Sequence, residues 1–163
     1  MADPWVINAS PVILLAKVGL IQHVPSLAHP LVIPEPVAEE IRQCRTVDVA
    51  VSWINGNGRS FVQPPVQELA ELRGTKIGSG ERSVISWAAA NRGFVAVMDD
   101  SGARVFAERF RLPVLGSVGI ILRLKKVGLI GEVKPHLLEI RRAGGYIGDK
   151  LFCEALQHAG EQP

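Results

Sequence analysis

Short apolar runs alternating with helical patterns constrain this chain more than any other feature. Trp5-Val6-Ile7 reads as a buried strand. Ser10 and Pro11 then look like the cap and first residue of a helix that carries Leu14, Leu15 and Val18 and ends at Gly19. Leu31-Val32-Ile33 is the next strand candidate, followed by a helix from Pro34 to Cys44 and a short one from Val47 to Ile54 that the turn Asn55-Gly56-Asn57-Gly58 closes. Phe61-Val62 is a short strand stopped by Pro64-Pro65, and Val66 to Arg73 is expected to be helical. Gly78-Ser79-Gly80 leads into a helix from Glu81 to Asn91, and Phe94 to Met98 is an apolar run delivered directly into Asp99-Asp100. A helix to Phe110, a strand at Pro113-Val114-Leu115 and three helices within Val118 to Ala159 complete the pattern. Strands separated by helices predict an α/β fold, a three-layer α/β/α arrangement around a mostly parallel sheet. The whole chain, 1–163, is expected to form a single domain in which 117–163 is a helical C-terminal part.

With 163 residues, 47% of them hydrophobic, the chain can bury a sizeable core. Its apolar runs, such as Val12 to Ala16 and Ser117 to Leu122, are broken by Lys17 and Arg123, too early to cross a bilayer, so a protein without a membrane association is expected. Met1-Ala2-Asp3-Pro4 places an acid where a secretion signal carries positive charge, which predicts a cytoplasmic location. Cys44 and Cys153 lie far apart with no CxxC spacing, signalling neither disulfide nor zinc, and read as small buried residues. Charge is uneven: Met1 to Asp100 holds 8 basic and 10 acidic residues, whereas Ser101 to Arg142 holds 9 and 3. Acids to hold cations beside bases to hold phosphates suit an enzyme acting on a polyanion; solvated helix faces would leave the same trace.

In a parallel sheet, ligands bind beyond the carboxyl ends of the strands, so the residues just after each strand are the candidates. They are Asn8-Ala9-Ser10 after the first strand and Asp99-Asp100 after the Phe94 to Met98 strand. Two adjacent acids there either cap the next helix or meet a cation. Glu81 shares a helical face with Val84, Ile85 and Ala88, so its carboxylate leans inward and needs backbone donors, a metal or a base. In the pair Glu39-Glu40, Glu39 lies among Glu35, Arg42 and Gln43, while Glu40 lies between Val37 and Cys44 on the apolar side, as a rim residue or a site acid. Carboxylates gathered from separate elements without bases among them call for a divalent cation, and hard oxygen ligands favour Mg2+ or Mn2+.

Four segments together resemble the PIN-domain superfamily: Val6-Ile7-Asn8-Ala9-Ser10-Pro11, the stretch Ile33 to Glu40, Gly78-Ser79-Gly80-Glu81, and Met98-Asp99-Asp100-Ser101-Gly102-Ala103-Arg104. The resemblance is closest to a prokaryotic branch of PIN-like proteins related to VapC-type toxins, and it continues through Leu112 to Gly119 and Lys126 to Ile130. It implies a Mg2+- or Mn2+-dependent ribonuclease acting on single-stranded RNA, a hydrolase in which Glu40, Glu81, Asp99 and Asp100 are the catalytic and metal-binding acids. Asn8 stands where most PIN nucleases carry Asp; its carbonyl can ligate a metal but brings no charge. Ser10 matches a hydroxyl that supports the site. Arg104, Arg109, Lys125 and Lys126 are the candidates for gripping the RNA backbone. The resemblance also implies the toxin of a toxin–antitoxin pair, with a small antitoxin protein as partner. Apolar residues of the C-terminal helices, among them Ile120, Ile121, Leu137, Leu138, Leu151 and Leu156, either cover the sheet or form a homodimer face. The rival readings are a degenerate PIN-like domain that binds RNA or a protein without cleavage, and a receiver-like phosphoacceptor domain, against which the acid pair follows a late strand.

Overall fold

Trp5, Val6 and Ile7 are fully buried at the centre of the sheet, on β1 (Asp3–Ile7). In this computed structural model, which describes residues 2–45 and 48–163, β1 pairs in parallel with β2 (Ala28–Pro34) on one side and with β4 (Val95–Val97) on the other. β3 (Val62–Gln63) extends the sheet beyond β2 and β5 (Val114–Leu115) extends it beyond β4, giving the order β3-β2-β1-β4-β5. All pairings are parallel, so the architecture is the expected three-layer α/β/α. Runs such as Trp5-Val6-Ile7 and Val95-Ala96-Val97 lack polar alternation because helices cover both faces of the sheet.

The helices are α1 (Ala9–Lys17), α2 (Glu35–Arg42), α3 (Asp48–Asn55), α4 (Ser79–Ala90), α5 (Ser101–Arg109), α6 (Ser117–Lys126), α7 (Lys134–Arg142) and α8 (Asp149–His158). Met1, with which the reading against a secretion signal begins, and Val47, the first residue of the helix expected over 47–54, lie outside the described residues. Two expectations are corrected. Asn8, not Ser10, is the N-cap of α1, so Pro11 falls on the third helical position. The helix expected from Val66 to Arg73 reduces to a 3-10 turn at Ala70–Leu72. After Pro64-Pro65 the segment is bound sideways to α4 instead: the Leu69 N–H donates to Ser86 Oγ at 3.1 Å and Arg82 pairs with Glu68 at 2.9 Å. Those bonds replace the i to i−4 ladder, and Leu72 is fully buried.

One hydrophobic cluster runs from Trp5 to Leu156. Ile120, Ile121, Leu137 and Leu156 are fully buried in it, so the face considered for a dimer is largely core, with Leu138 half-buried and Leu151 exposed. Cys44 and Cys153, expected to be buried, are both half-buried.

A carboxylate clamp fastens the chain end to this core. Glu161 accepts from Lys125 Nζ and from the Val133 N–H, both at 2.7 Å, and from the Lys134 N–H at 2.8 Å at the start of α7. Burial pushes the Glu161 carboxyl up, but these donors outweigh it and hold its pKa below the usual carboxylate range. A depressed carboxyl stabilises the fold above its unfolded pKa, and that contribution is lost as pH falls through the folded value. Glu161→Gln is therefore expected to cost about 1–3 kcal/mol at neutral pH, measured by denaturant unfolding. The difference from the native chain should shrink steadily below about pH 4.

Candidate functional site

The strand order reverses at β1: the chain leaves β1 toward β2 and returns on its other side as β4, opening a crevice at the carboxyl ends of these two neighbours. The Asn8 N–H donates to Val97 O at 2.9 Å, so the ends of β1 and β4 are fastened together where the polar residues begin. Asn8 is only 3% exposed and occupies the N-cap of α1, yet its side chain makes no capping bond. A cap oxygen ordinarily accepts from the second or third helical N–H, and the third position here is Pro11, which has none. Asn8 Oδ1 is left buried with no partner among the described residues. Ser10 is exposed at the edge of the crevice.

The acids are carried by three parts of the chain, α2, α4 and the exit of β4 into α5. Glu40, near the end of α2, accepts the Gly80 N–H at 2.8 Å. A Cβ on Gly80 would lie 2.7 Å from both oxygens of that carboxylate, so the approach requires glycine. Its neighbour Glu39 turns outward to Arg42 at 2.8 Å. Glu81, on the first turn of α4, accepts the Gly78 N–H at 2.8 Å. Its pKa is raised, chiefly by burial and further by the charges of Asp100 and Glu40, against the opposing Gly78 bond. Asp100 caps α5 through the Ala103 N–H at 2.8 Å. Asp99 points the other way along the sheet: the N–H and the hydroxyl of Ser117, at 2.7 and 2.6 Å, occupy its two oxygens and start α6.

Glu40 and Asp100 thus both act electrostatically on Glu81, whereas Asp99 is committed to α6. Of the basic candidates, Arg104 lies at the site, donating to Met98 O at 3.3 Å and lining with Ser10, Asp99 and Asp100 a groove of about 1080 Å³. Arg109 sits at the far end of α5 with its guanidinium 5.0 Å over Phe106, and Lys125 belongs to the Glu161 clamp. Lys126 is exposed at the end of α6 remote from Ser117. Gly80, Gly116 and Ser117 were not among the sequence candidates. A Cβ on Gly116 would come 2.9 Å from Arg104 Nη1 and 3.1 Å from Asp99 Oδ1, so it too is a close-approach glycine. Applying the strand-end rule to β5, as to β1 and β4, reaches Gly116-Ser117 directly.

Among the described residues no three Asp, Glu, His or Cys side chains converge tightly enough to hold a metal by themselves. The donor set is nonetheless all oxygen, with an orphaned buried carbonyl at Asn8. That suits Mg2+ or Mn2+, which keep several waters and take one or two carboxylates. Asp100, Glu81, Glu40 and the Asn8 carbonyl are the candidate donors for such an ion.

The family model described as "DUF3368: PIN domain" matches residues 4–161. Neither the curated proteins nor the solved structures contain a significant match.

Removing either neighbouring charge should relax Glu81. Asp100→Asn or Glu40→Gln is expected to lower the Glu81 pKa toward the ordinary carboxylate value, measured by carboxyl-carbon NMR titration. An unchanged titration would mean the three acids do not share a field. Gly80→Ala should keep the fold, since the new methyl meets only the end of a flexible side chain, while displacing Glu40. Its expected signature is a thermal midpoint within a few degrees of native with weakened Mn2+ binding by calorimetry.

Proposed function

The chain belongs to the PIN-domain family, and from this premise we propose that it is a Mg2+- or Mn2+-dependent endoribonuclease acting on single-stranded RNA. The observation that carries this reading is the electrostatic meeting of Glu81 with Asp100 and Glu40, together with a buried Asn8 carbonyl that has no partner among the described residues. A divalent cation bound there supplies Lewis-acid polarisation of the phosphodiester and a water of lowered pKa. The protein's own part is positional. Backbone N–H groups of Gly78, Gly80 and Ala103 each hold one oxygen of an acid, fixing the carboxylates without neutralising them. Asp100 and Glu81 are the principal acids in this reading; Asp99 acts as a positioning residue that sets α6 through Ser117. Arg104, on the same groove, neutralises a phosphate oxygen. The raised pKa of Glu81 makes cation binding strengthen as pH rises through its folded value.

The finer role in this reading is the toxin of a toxin–antitoxin pair, inhibited by a small antitoxin protein. A neutral Asn8 favours a second reading, a PIN domain that retains RNA or protein binding without cleavage. The two separate in one experiment. Purified protein is incubated with single-stranded RNA and Mg2+ or Mn2+ beside Asp100→Asn and Glu81→Gln. Metal-dependent cleavage is expected, reduced on the order of a hundredfold or more in both variants. Absence of cleavage with retained RNA binding would support the second reading. In that case Asn8→Asp, which restores a charge at the buried orphan, should create metal-dependent cleavage.

A further inference from the structure

We propose that Tyr146 and the apolar floor beside it form a base-stacking subsite for one unpaired nucleotide of the RNA. This inference rests on the ribonuclease reading and adds to it a determinant of substrate binding that lies outside the acids. Tyr146 is the chain's single tyrosine, and its side chain is 96% exposed.

Its exposure does not come from a loose loop. Tyr146 lies between α7 and α8 in Gly144-Gly145-Tyr146-Ile147-Gly148, and the backbone is fastened on both sides of it. On one side Gly145 packs so closely that a Cβ would stand 2.5 Å from Ile140 Cγ2 and 3.1 Å from Leu14 Cδ2. On the other, Ile147 is buried and its carbonyl accepts from Arg141 Nε at 2.9 Å, while the same guanidinium lies 4.3 Å over the Phe152 ring. The fold thus spends close packing to hold this backbone in place and present the ring to solvent. A ring on a fixed backbone loses little entropy when it binds.

The ring stands on the groove that also contains Asp99, Asp100 and Arg104. The floor between them is apolar and only half-buried, formed by Ile13, Leu14, Val118 and Leu122. Lys150 lines the same groove from α8. A nucleotide matches each part: a base to stack on the phenol and rest on the aliphatic floor, phosphates to meet Arg104 and Lys150, and continuity with the acids for a neighbouring phosphodiester. Only an unpaired base offers a free face to such a ring, because in a duplex both faces are stacked. The subsite therefore selects single-stranded or looped RNA by geometry.

The test uses the full-length protein and a fluorescent single-stranded RNA, with Ca2+ replacing Mg2+ to suppress cleavage. Tyr146→Ala should weaken binding about tenfold, as expected for the loss of one base–aromatic stack, and Tyr146→Phe should bind like the native chain. Moving a single abasic site along the RNA should locate one position that weakens the native protein and leaves Tyr146→Ala unaffected. The inference is overturned if Tyr146→Ala binds as tightly as native, or if it loses single-stranded and duplex RNA equally. Failure of the native protein to bind any RNA would instead defeat the ribonuclease reading beneath it.

Discussion

The molecule depends on β1 being flanked in parallel by β2 and β4. A strand buried from Trp5 to Ile7, with a partner on each side, fixes the register at Trp5↔Val95 and Ile7↔Val97. It leaves the chain to leave the sheet at Asn8 and at Asp99-Asp100 side by side. Every later element inherits its position from that pair of exits. α1 starts at one exit and α5 at the other; α6 is tied to the second through Asp99 and Ser117. The crevice follows from topology and would exist with any side chains; the polar residues at the exits give it chemistry.

Holding several carboxylates near one another costs repulsion, and the structure meets that cost with one repeated device. Glu81, Glu40, Asp100 and Asp99 accept from the N–H groups of Gly78, Gly80, Ala103 and Ser117, all of them at the starts of α4, α5 or α6. The first N–H groups of a helix have no partner inside it, so they satisfy acids at no expense to secondary structure, and the helix dipole favours the negative charge. Capping and ligation are therefore compatible roles here. Glu161 shows the other outcome at the start of α7, where a Lys joins two backbone donors and the carboxyl is driven down. Glu81 lacks a cation partner among the described residues and is driven up.

The strands and the switch point were legible because buried parallel strands write themselves as short continuous apolar runs, and Phe94 to Met98 ending in two acids is the clearest of them. The inward and outward members of Glu39-Glu40 were legible too, since helical spacing alone assigns Glu40 to the side that meets Gly80. Local patterns misread one stretch. The stretch from Val66 to Arg73 has helix-forming residues, but Ser86 and Arg82 on α4 draw its polar groups sideways. The basic count between Ser101 and Arg142 leaves a phosphate-binding surface and solvated helix faces both open, and three of these bases are held by acids, Arg123 by Asp3, Arg141 by Asp149 and Lys125 by Glu161. Composition records the charge of a residue and is silent about its partner. The family description was equally within reach of the sequence, because its motifs lie at the strand ends that topology brings together.

Asn8 joins the two halves of the functional question. An asparagine at an N-cap normally supplies its own oxygen to the helix, and a protein with no further use for the side chain has an easy route to satisfy it. Here Pro11 removes the N–H at the third position, and the carbonyl oxygen is buried with no partner among the described residues. An orphaned buried acceptor is costly, on the order of 1–3 kcal/mol, unless something outside the protein compensates it. In the reading proposed above, a hydrated divalent cation would supply that compensation. The same reasoning explains how a neutral residue could serve where an acid would be stronger: burial raises Glu81, and the charges of Asp100 and Glu40 raise it further. A further carboxylate at the same site would add to that effect. A carbonyl ligates without adding to that repulsion, so the exchange of charge for a neutral oxygen trades cation affinity against the ionisation of Glu81.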